Sequence, residues 1–130
     1  MTSATDNPML ARLEALLENG PDSTVLRFGL ANGYLEAGDF DASIMHARGA
    51  LALDPGYSAA WKILGRALAA SGANAAALEA WQDGIAAAET RGDMQAVREM
   101  QVFVKRLTRA RVQDAGCGTG SDSGNRPPET

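Results

Sequence analysis

Residues 24–57, TVLRFGLANGYLEAGDFDASIMHARGALALDPGY, and residues 58–91, SAAWKILGRALAASGANAAALEAWQDGIAAAETR, carry one pattern written twice. Leu30 falls on Leu64, Gly38 on Gly72, Ile44 on Leu78 and Leu51 on Ile85, with Tyr34 over the apolar Leu68. Pro21 and Pro55 stand at the same separation of 34 residues. A unit of this length holds two helices and a turn, and it cannot bury its apolar face alone. It must stack on a neighbour, and stacked helix pairs build a curved surface rather than a catalytic cleft.

Further helices are predicted on either side. Leu10, Leu13, Leu16 and Leu17 fall at helical spacing over Met9–Glu18. Asn19-Gly20-Pro21 ends that helix, and Asp22 or Ser23 can cap the next, which runs to about Ala37. Gly38 is a stop, Asp39 a cap, and a helix follows over about Phe40–Leu53 until Asp54-Pro55-Gly56 breaks it. Ser58–Ser71 and a helix capped by Asn74 and running to about Thr90 repeat the arrangement. After Gly92-Asp93 a sixth helix, about Met94–Arg111, places Val97, Met100, Phe103, Val104 and Leu107 on one side. Residues 1–8 read as a loose start. Residues 112–130, rich in Gly, Ser, Asp and Pro, read as a disordered tail.

Composition agrees with a single all-α domain. Of 130 residues, 45 % are apolar, much of that alanine, the best helix former. The net charge of −4 disfavours non-specific nucleic-acid binding. The charge is uneven: residues 1–93 sum to −6 and residues 94–111 to +4. The single cysteine, Cys117, can form neither an internal disulfide nor a multi-cysteine metal site. Met1–Pro8 shows no signal-peptide pattern and no apolar run approaches a membrane span, so the expected location is the cytoplasm.

The second unit, with Trp61, Leu64, Gly65, Leu68, Gly72, Ala77, Trp81, Gly84 and Ile85, resembles a tetratricopeptide repeat. The first matches through Leu30, Ala31, Tyr34, Gly38, Phe40, Ala50, Leu51 and Pro55. It departs at Arg27 and Ala47, where the second has tryptophan. The frame extends back to a half repeat over 9–20 and, with two residues inserted, reaches the sixth helix, read as a closing helix over 94–111. The resemblance implies an α-α superhelix of about six antiparallel helices, one domain over 9–111 with repeats at 24–57 and 58–91.

It also implies a concave face lined by the first helix of each unit: Val25, Phe28, Gly29, Asn32, Leu35 and Glu36, then Ala59, Lys62, Ile63, Arg66, Ala69 and Ala70. Lys62 and Arg66 lie one helical turn apart and share a face. The expected site is a short groove in which Asn32, Lys62 and Arg66 grip an acidic or C-terminal carboxylate peptide over an apolar floor of Phe28 and Ile63. The blander alternative is a solvated helix face.

The expected function is therefore a non-catalytic protein–protein interaction module. Self-association as a homodimer is the alternative, with nucleic-acid binding by Arg98, Lys105, Arg106, Arg109 and Arg111 a weaker one. Phe103 is expected in the core, which leaves that basic helix without aromatic interleaving. Its cations also suit a helix C-terminus. His46 is expected at a surface or half-buried helix position. Arg91-Gly92-Asp93 reads as a helix stop and cap rather than an adhesion tripeptide. No catalytic motif, cofactor or metal ligand set is visible.

Overall fold

The computed structural model describes residues 7–118. Its elements are α1 (Pro8–Asn19), α2 (Thr24–Ala37), α3 (Phe40–Leu53), α4 (Ser58–Ala70), α5 (Asn74–Arg91) and α6 (Met94–Gly118). The fold is all-α, as the repeat implies. Helix α6 runs to Gly118 rather than ending at Arg111, so Cys117 falls in helical backbone. The expectations for residues 1–6 and 119–130 lie outside the described residues.

Local chemistry sets the boundaries. Asn7, unrecognised as a cap in the sequence, accepts from the Met9 and Leu10 amides, with Pro8 in the first turn where its missing N–H costs nothing. Ser23 caps α2 through the Leu26 amide, and Asp39 caps α3 through Ala42. Helix α5 departs from expectation: Ala73 is its cap residue, without a side-chain bond, and Asn74 is its first residue. Three helices end alike, at Gly38, Gly72 and Gly92, with φ of 83°, 92° and 75°. Behind each glycine the next amide reaches back to a carbonyl of the helix: Asp39 to Tyr34, Ala73 to Leu68 and Asp93 to Ala88.

Small residues hold the helices close. Ala31, Ala47, Ala50, Ala60, Ala67, Ala77 and Ala88 are fully buried. Larger side chains then key into glycines. A β-carbon on Gly65 would overlap the Trp81 indole, and one on Gly84 would sit 2.5 Å from Trp61 Cβ and 2.7 Å from Met100 Sδ. Trp81 therefore enters α4, while Trp61 and Met100 enter α5, which locks α4, α5 and α6 together. In the first unit Arg27 replaces the tryptophan, and its side chain lies against Gly49 of α3.

Helix α4 packs on both α2 and α3, and α6 on both α4 and α5. Thus α2, α4 and α6 touch in series along one side, which becomes the inner side of the curve. Helix α1 closes the other end, with Leu10 buried against Gly33 of α2.

The Arg91-Gly92-Asp93 tripeptide serves the fold. Arg91 pairs with Asp54 across the α3–α4 turn, and Gly92 is the left-handed stop. Asp93 caps α6 through the Ala96 amide and accepts from the Ser58 hydroxyl. These contacts hold the Asp54 and Asp93 carboxyls below the usual range, through the Arg91 guanidinium and the Ser58 hydroxyl respectively.

Candidate functional site

Two hollows open on the inner side. One, of about 200 Å³, is lined by Phe28 of α2, Ala59, Lys62, Ile63 and Arg66 of α4, and Glu99 and Phe103 of α6. The other, of about 450 Å³, is lined by Leu35, Arg66, Ala69, Ala70, Trp81, Phe103, Arg106, Leu107 and Ala110. Arg66 and Phe103 belong to both, so the hollows adjoin as one groove. Helical spacing produces it. On α4, Ala59, Lys62, Arg66 and Ala69 fall three or four apart. On α6, Glu99, Phe103, Arg106 and Ala110 do the same. Alanines on both stripes leave the floor low, and Phe103 stands on Trp81 with ring centroids 5.2 Å apart.

The groove is electrostatically divided. Lys62 Nζ lies 2.7 Å from Glu99 Oε1, so this cation is already matched across α4 and α6. Arg66 and Arg106 are exposed, and among the described residues neither has a carboxylate partner. Arg66, which lines both hollows, and Arg106, which lines the larger one, are thus the groove cations without a carboxylate partner among the described residues.

Of the residues singled out in sequence, Phe28, Lys62, Ile63 and Arg66 come together. Asn32 is half-buried on α2 and lines neither hollow. Leu35, Ala59, Ala69 and Ala70 also line the groove as the repeat implied, whereas Val25, Gly29 and Glu36 do not. The α6 wall was missed. It is formed by Glu99, Phe103, Arg106 and Ala110, and Phe103 is half-buried, packed against the core as expected while also lining the groove.

A second polar cluster sits at the junction of α1, α2 and α3. His46 is 2 % exposed, contrary to the surface or half-buried placement expected. Its ring stacks on Tyr34, with centroids 5.5 Å apart and planes 6° from parallel. Arg27 places Nη1 3.2 Å from His46 Nδ1 and grips Asp22 with a second pair of bonds. A guanidinium only donates, so Nδ1 accepts and the proton of the neutral ring sits on Nε2. Nε2 faces the Glu14 carboxylate at 3.4 Å, too far or too misaligned for a hydrogen bond, and is otherwise buried without a partner. Glu14 accepts instead from the Tyr34 hydroxyl. Burial above all, then Glu14, pushes the Tyr34 phenol up to about 12. Burial also lowers the His46 pKa, reinforced by Arg27 and opposed by Glu14. The cluster ties α1 to the first repeat. Arg27, one of the two departures of that repeat from the pattern, is a member of this cluster.

The basic residues Arg98, Lys105 and Arg109 lie on the exposed outer face of α6 with Val102 among them. Among the described residues, no group of three or more His, Cys, Asp or Glu could hold a metal ion, and no helix is long and apolar enough to cross a membrane.

The architecture is that of a helical-repeat array with an open inner groove. No family model matches the chain. It is 48 % identical over 104 residues to the TPR repeat-containing protein PA0015 of Pseudomonas aeruginosa, a match covering 80 % of this chain and 99 % of that one. The solution structure of protein BPP2914 from Bordetella parapertussis is 49 % identical in sequence and superposes with a TM-score of 0.72, over 84 % of this chain and 92 % of that one. The chain belongs to the tetratricopeptide-repeat family.

Proposed function

We propose that this chain is a non-catalytic interaction module that holds a peptide segment or protein surface in the α2–α4–α6 groove. The observation that supports it most directly is the groove itself. Three helices converge on an apolar floor of alanines, Phe103 and Leu107, with two unmatched arginines at its rim. Phe28 and Ile63 extend the floor, and Lys62 and Glu99 form a neutral bridge beside it. The reading requires no cofactor. Filling the groove with Ala70→Arg and Arg66→Glu should abolish capture of partners that the wild-type protein retains. The same treatment of the outer face of α5, with Gln82→Glu, should leave capture intact. Equal capture by the groove variant would refute the proposal.

Self-association is favoured as a second reading by one observation. Met9, Leu16 and Val25, all near the α1 end of the array, are 57–67 % exposed. Sedimentation across a concentration series, with Leu16→Glu alongside, separates the readings. A concentration-independent monomer eliminates this one.

A further inference from the structure

We infer that the groove selects a segment in which an Asp or Glu side chain neighbours a large apolar side chain, and that Arg66 and Arg106 read the carboxylate while Lys62 does not. The inference rests on the groove reading above and adds the chemistry of its occupant.

The division of charge decides it. A carboxylate approaching Lys62 meets Glu99 already in place 2.7 Å from the ammonium, so it must displace an existing partner or accept repulsion. One turn further along α4, Arg66 faces the second hollow from one wall and Arg106 from another, and neither is matched among the described residues. Guanidinium groups are weakly hydrated and bind carboxylates through parallel N–H bonds, so they suit a half-open rim better than an ammonium does. Between them lies an apolar floor of Leu35, Phe103 and Leu107, in a hollow of about 450 Å³ that admits a Leu or Phe side chain. A phosphate polymer fits less well: of the three cations lining the groove, Lys62 is already paired with Glu99, and Arg98, Lys105 and Arg109 are exposed on α6 but do not line it.

The test uses two N-acetylated, C-amidated hexapeptides, Glu-Leu-Glu-Phe-Glu-Leu and its counterpart with every Glu replaced by Gln. Both are titrated into the full chain at low salt and followed by two-dimensional NMR. Amidation removes the terminal carboxylate, so only side chains can supply the charge. The acidic peptide should shift the Ala69, Ala70, Phe103 and Leu107 signals and bind roughly 5-fold more tightly than the neutral one, the combined effect of two exposed ion pairs. The preference should vanish in Arg66→Gln/Arg106→Gln, whose folded spectrum is checked first. It should survive in Lys62→Gln/Glu99→Gln, which removes the bridge without net charge. Equal binding of the two peptides in the groove would overturn the inference while leaving the groove reading standing. Absence of groove shifts with either peptide would overturn both. Persistence of the preference without the arginines, or its loss without the bridge, would also overturn it.

Discussion

Gly65 and Trp81 show how one residue choice governs the packing of two helices. The indole occupies the space that a β-carbon at 65 would need, so Gly65→Ala forces either the ring or the backbone to move. The expected cost is about 2 kcal/mol, typical of overpacking a tight core, measurable as a lowered urea midpoint. Gly29 supplies the contrast. Its added methyl would meet Leu13 Cδ1 at 3.7 Å, ordinary contact, so Gly29→Ala should gain helix propensity and stabilise by about 0.5–1 kcal/mol. A residue count treats both as helix glycines; the contacts give opposite signs.

His46 makes a different prediction. Its folded pKa lies below the ordinary 6.5, so the unfolded chain binds the proton more readily. Stability from this group is therefore intact above pH 6.5 and declines as pH falls through that value toward the folded pKa. Unfolding at pH 7.5 and 5.0 should show the loss, and His46→Gln should flatten it. An NMR titration of the imidazole giving a pKa at or above 6.5 would contradict the burial of the ring, with Arg27 against Nδ1, as the dominant influence. Glycines opposite tryptophans were legible in the sequence because the repeat places them. The His46 cluster was not. Its members come from α1, α2 and α3 with no local spacing to join them, and Arg27 registered only as a departure from the pattern.

At the scale of the element, the two end helices carry more than their length suggests. Helix α1 is held by Leu10 in the Gly33 recess and by the Glu14–Tyr34 bond. Leu10→Ala should cost about 3 kcal/mol. Helix α6 covers Gly84 with Met100 and Trp81 with Phe103. A chain ending at Gly92 exposes that face and should aggregate or unfold. One ending after Asp114 keeps Ala96, Val97 and Met100 buried and should retain its circular dichroism and melting temperature. The ends of α2, α4 and α5 were readable because Gly38, Gly72 and Gly92 sit where a left-handed turn is required. The contribution of α6 to the groove was not. A helix that buries one stripe and solvates another reads as a cap, and the stripe between them that faces α4 has no compositional mark.

The whole molecule is a short stack in which the proposed groove adjoins the core on the same helices. Helices α2, α4 and α6 present one stripe to the core and the adjacent stripe to the groove, so core variants should change stability and groove variants should change binding, with little crossing between them. The exceptions are Ile63, Trp81 and Phe103, which serve both core and groove, and the Lys62–Glu99 bridge, which joins α4 to α6 while matching charge in the groove.

Site-specific photo-crosslinking distinguishes the inner side from the outer faces as the place where partners engage. A photoreactive residue is placed singly at Ala70 in the groove, Ala86 on the outer face of α5, or Val102 on the outer face of α6, all exposed positions. One discrete crosslinked product is expected from position 70, displaced by the acidic hexapeptide, and none shared with positions 86 or 102. A product formed from 86 or 102 but absent at 70 would contradict engagement on the inner side.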